Sequence, residues 1–75
     1  MKESIKLSDG TTLGPKDRIL LVDTKDGWGI YQKHNGKEAV VEHIDDAGQI
    51  HCKTDDGFNV TVSEEYGDKF KKVGD

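Results

Sequence analysis

Apolar and polar residues alternate along this chain in short runs, and the runs are separated by turn residues that end in glycine. Alternation with period two is the pattern of strands that bury one face. The runs are residues 5–7, 11–13, 18–23, 28–33, 38–44, 49–54, 58–63 and, at the end, 69–73. Helical periodicity is nearly absent. The turns share one chemistry: Ser8-Asp9-Gly10, His34-Asn35-Gly36, Asp46-Ala47-Gly48 and Asp55-Asp56-Gly57. A three-residue hairpin loop needs a left-handed third residue, and glycine adopts that conformation at the lowest cost.

Side-chain parity tests these loops. With Asp55-Asp56-Gly57 as the loop, Cys52 faces Val60 and Ile50 faces Val62, so the apolar groups share one face. A two-residue loop would split them. The same logic pairs Ile44 with Ile50, Ile5 with Leu13 and Leu7 with Thr11. It also pairs Tyr31 with Ala39, Gly29 with Val41, Ile30 with Val40 and Trp28 with Glu42. The run Ile19-Leu20-Leu21-Val22 is apolar on both faces, as a central or sharply coiled strand would be. Ser63-Glu64-Glu65-Tyr66-Gly67 reads as one helical turn with Ser63 as N-cap and two glutamates at its positive end. Phe70 and Val73 then belong to a final strand.

The predicted fold is all-β: a small antiparallel barrel of five to six strands, with one short helical turn near residues 63–67. A flat sheet this small cannot cover its own apolar face, and bending limits free edges. Residues 1–14 are expected to be an N-terminal hairpin or flexible arm, and residues 15–75 the barrel domain. Only 32% of residues are hydrophobic and 35% are charged. Such a composition is compatible with disorder, but the periodicity over residues 17–63 argues for a fold.

A resemblance follows from residues 36–45, Gly36-Lys37-Glu38-Ala39-Val40-Val41-Glu42-His43-Ile44-Asp45, and the strand Gln49-Ile50-His51-Cys52-Lys53 after the glycine turn. This stretch resembles the KOW motif, found in small barrels of the Src-homology-three-like or Tudor-like type. The resemblance spans roughly residues 17–73. It implies a strand that bends between Val41 and Ile44, and an ending of strand, helical turn and strand. It also implies RNA or DNA as a partner. Ala39 stands where the motif usually has glycine, and the basic loops such modules use on RNA are sparse here. Asp26-Gly27-Trp28 resembles the acidic loop and tryptophan with which Src-homology-three domains bind proline-rich peptide.

Charge and candidate chemistry refine the functional expectation. The net charge is −4. Residues 1–37 carry seven basic and five acidic groups, residues 38–68 one basic and nine acidic. Such an acidic block is a solvated surface, or a field that draws basic partners. One cysteine permits no internal disulfide. No apolar run exceeds four residues, and the start lacks a signal's apolar stretch, so the default location is cytoplasmic. His43 and His51 are predicted cross-strand neighbours, close enough for a metal or a pH-sensitive contact. No metal or other cofactor is expected. Cys52 points inward, away from His51, and buried apolar thiols are inert. The acidic turns are too short for the six to eight oxygens of calcium. No catalytic constellation assembles.

The expected function is therefore non-enzymatic binding of a protein partner of basic character, with a homodimer left open. The expected contact residues are Trp28, Ile30, Tyr31 and Val40, with Glu38, Glu42, Asp45 and Asp46 around them. The alternative for Trp28 is a second core beneath the N-terminal hairpin. One rival is a KOW-like nucleic-acid module, which would gather Lys16, Arg18, Lys25, Lys33, Lys37, Lys69, Lys71 and Lys72 on one face. The other is an acidic protein of a phage or mobile element that mimics nucleic acid.

Overall fold

The computed structural model describes residues 3–24 and 35–74. Among them lie seven strands: β1 (Ile5–Lys6), β2 (Thr12–Leu13), β3 (Arg18–Asp23), β4 (Glu38–Ile44), β5 (Ile50–Thr54), β6 (Asn59–Val62) and β7 (Lys69–Val73). A 3₁₀ turn, Glu64–Tyr66, connects β6 to β7. The first two strands form a hairpin, and the other five form one antiparallel sheet in the order β6-β5-β4-β3-β7.

The register follows the parity of the sequence. Ile50 pairs with Val62 and Cys52 with Val60. Ile44 pairs with Ile50 and His43 with His51. Ile5 pairs with Leu13, and the Leu7 amide donates to the Thr11 carbonyl. Gly48 and Gly57 take φ of +83° and +89°, the left-handed conformation that closes three-residue loops. The Asp45 carboxylate accepts from the Ala47 and Gln49 amides across the first of these loops, at 3.0 and 2.9 Å. A bulge between Val41 and His43 bends β4 where the sequence resemblance places a bend. Ser63 caps the 3₁₀ turn, its hydroxyl accepting from the Glu65 amide.

Inward residues from every strand of the sheet join one core: Ile19, Leu21, Ala39, Val41, Ile44, Ile50, Cys52, Val60, Val62 and Phe70. Leu7 and Leu13 add to it from the N-terminal hairpin. The hairpin is tied on by hydrogen bonds from the Ser8 amide and hydroxyl to Glu64 (2.9 and 2.8 Å) and from Lys72 to the Thr12 carbonyl.

Two expectations need correction. The sheet does not close into a barrel, because β6 and β7 stand at its two edges with no ladder between them. With Leu7 and Leu13 of the hairpin packed into the core, burial does not depend on closure. Second, the partner of β4 is β3: Ala39 pairs with Ile19, not Tyr31, and Val40 pairs with Arg18, not Ile30. The doubly apolar run of residues 19–22 explains this. Flanked by β4 and β7, β3 turns Ile19 and Leu21 to the core and Arg18 and Leu20 to the outer face. Gly36 therefore closes back on β3, its amide donating to the Leu21 carbonyl at 2.6 Å.

Candidate functional site

Trp28, Ile30 and Tyr31 lie outside the described residues. The neck of their segment is described. Thr24, fully buried, donates from both amide and hydroxyl to the Asn35 side chain, at 3.1 and 3.0 Å. The residues on either side of this segment are thus joined at one point, between the end of β3 and the start of β4.

Val40 is on the outer face, as expected, between Arg18 of β3 and Lys53 of β5. It has company that the loop-based pairing missed. Leu20 and Val73 are half-buried on the same face, and Val22 is 48% exposed at the bulge of β3. For Leu20 and Val22 the signal in the sequence was the apolar run of residues 19–22, which puts alternate side chains on each face.

The acidic residues divide by environment. Glu38 pairs with Arg18 Nε at 2.9 Å, and Asp55 takes Arg18 Nη2 at 2.8 Å. Asp56 pairs with Lys37 and accepts from the Thr54 hydroxyl. These five charged residues, with Gly36, line an open concavity of about 410 Å³. Asp45 holds its own turn and accepts from His51 Nε2 at 2.9 Å. Those bonds, from His51 first and then Gln49, hold its carboxyl below the usual carboxylate range. Glu42 is exposed and carries no partner among the described residues; Asp46 is exposed on the turn. Of the four expected acidic contacts, Glu38 and Asp45 are thus engaged internally, and Glu42 is exposed without a partner among the described residues.

The basic residues a nucleic-acid surface would need are partly engaged. Arg18 and Lys37 serve the pairs above, and Lys72 lies 3.7 Å from Asp17. Lys16, Lys69 and Lys71 are exposed, and Lys25 and Lys33 fall outside the described residues.

The two histidines stack, with ring centroids 4.2 Å apart and planes 9° from parallel. Asp45 and the Thr61 hydroxyl engage both nitrogens of His51. No group of three or more potential metal ligands occurs among the described residues. Cys52 is 1% exposed, and burial, with a smaller push from Glu42, raises its thiol to about 12. At neutral pH such a thiol is no nucleophile. No helix among the described residues is long and apolar enough to cross a membrane. Comparison with protein-family models, with curated proteins and with solved structures yields no match to this chain.

Proposed function

We propose that this chain is a protein-interaction module without enzymatic activity. In this reading it is a small β domain of the Src-homology-three-like kind, and its partner is a protein of basic character. The contact surface combines the outer face of β3 and β4 with Trp28, Ile30 and Tyr31 from the segment between them.

The observation that carries the reading is the outer-face cluster of Leu20, Val22 and Val40 beside the pinned neck of that segment. The inner face already accounts for the core. Apolar groups gathered on a second face usually mark a contact surface, and tryptophan is a favoured anchor in one. Glu42, exposed further along β4 from Val40, supplies acidity on this strand, which speeds approach of a basic partner. The strand order, the bend in β4 and the 3₁₀ turn before the last strand support the architectural part.

The test is affinity capture from the source cell with wild type, Trp28→Ala and Val40→Glu. A protein retained by wild type should be lost by both variants, with Trp28→Ala weakening binding by about 2 kcal/mol or more. Both variants should melt close to wild type. A Trp28→Ala chain that unfolds would place Trp28 in a core and end the proposal.

A further inference from the structure

A second concavity, of about 190 Å³, opens between the N-terminal hairpin, the turn before β5 and the 3₁₀ turn. Its apolar part is Ile5, Leu7 and Ile50, with Ala47 and Gly48 at the mouth. Ile5 reaches across that mouth, its Cδ1 standing 3.6 Å from where a Cβ on Gly48 would lie. The rim is Ser63, Glu64 and Glu65. The volume is below the roughly 300–1,000 Å³ of a pocket for a drug-sized ligand. It suits a single long side chain.

The rim decides which kind. Ser8 clamps the Glu64 carboxylate through its amide and hydroxyl, so the charge is held in place. Glu65 is exposed and has no side-chain partner among the described residues. Among the described residues no cation pairs with either glutamate. Asp17, Glu38, Asp55 and Asp56 each have one. A groove with Ile5 at its mouth, beside two carboxylates that meet no cation among the described residues, matches a side chain with an apolar stem and a positive tip.

We infer that this groove receives a lysine or arginine side chain of a protein partner, the stem against the half-buried Ile5 and the cation beside Glu64 and Glu65. The groove rests on the proposed function only in taking the partner to be a protein. It uses neither Trp28 nor the outer face, so each idea can fail alone.

The test is a titration of ¹⁵N-labelled protein, followed by amide shifts, with three peptides: acetyl-Gly-Xaa-Gly-amide with Xaa arginine, lysine or norleucine. The arginine and lysine peptides should shift the amides of Leu7, Gly48, Ser63 and Glu65 saturably. Norleucine keeps the stem and drops the charge, and should bind about threefold more weakly or worse. Glu65→Gln, an exposed change, should remove most of that difference without altering the rest of the spectrum. Equal binding of norleucine, shifts centred elsewhere, no saturation with any peptide, or an unchanged preference in Glu65→Gln would each overturn the inference.

Discussion

Leu20 and Leu21 are neighbours in one strand with the same side chain and different surroundings. Leu21 is 0% exposed, opposite Phe70 of β7 and within the core. Leu20 is half-buried on the other face, between Glu38 and Lys71. The same contrast divides Val41 from Val40 on the next strand. Hydrophobicity alone therefore does not say what a residue is for in this sheet. The inner set makes the core, and the outer set does not join it.

The contrast is sharpest in chemical reactivity. Cys52 belongs to the inner set, with its thiol raised to about 12. At pH 8 its reaction with a disulfide reagent should run about a thousandfold slower than that of a free thiol, whose ordinary value is near 8.5. The rate should rise only under conditions that unfold the chain. Fast reaction of the native protein would break the claim that this face is sealed.

Stability gives the next contrast. Leu21→Ala should cost about 3 kcal/mol in a urea titration, from lost burial and the cavity left behind. Leu20→Ala should cost about 1 kcal/mol or less, and Val22→Ala about 0.5 kcal/mol or less. Equal losses at positions 20 and 21 would mean that both faces are core.

A smaller effect concerns acid. Asp9, Asp45 and Asp56 have carboxyls held below the ordinary 3.8, by the Thr11 amide, by His51 and by the Thr54 hydroxyl respectively. In the unfolded chain these groups take up protons first as pH falls. Their stabilisation is thus complete above about pH 4 and is lost as pH drops through the lower folded values. Asp45→Ala should be less stable than wild type at pH 7, and should lose less than wild type does on going below pH 4. An unchanged acid profile would show that Asp45 does not couple to folding.

Much of this fold was legible from parity. The loops closed by Gly10, Gly48 and Gly57 fixed their registers because each left only one pairing that kept apolar groups together. The Ser63 cap was readable for the same local reason. The pairing of β3 with β4 was not, because those strands are separated by residues 24–37 and no turn specifies their register. Asn35-Gly36 carries hairpin chemistry, but its bonds tie it to Thr24 and Leu21 at the end of β3. The return of β7 beside β3 is a long-range event of the same kind. For the site, the parity that put Val40 outward also held for Leu20, yet the second member of the cluster went unnoticed without the β3–β4 register. Which carboxylates are neutralised by Arg18 and Lys37 depends on tertiary placement, and no spacing in the chain encodes it.

The central claim is that the apolar residues outside the core serve a partner, with Trp28 as their anchor. As the only tryptophan in the chain, Trp28 makes this directly measurable. Its fluorescence in native protein should peak close to that of the urea-unfolded chain, and a neutral quencher should reach both nearly equally. A native emission well to the blue, protected from quencher until the chain unfolds, would contradict the account.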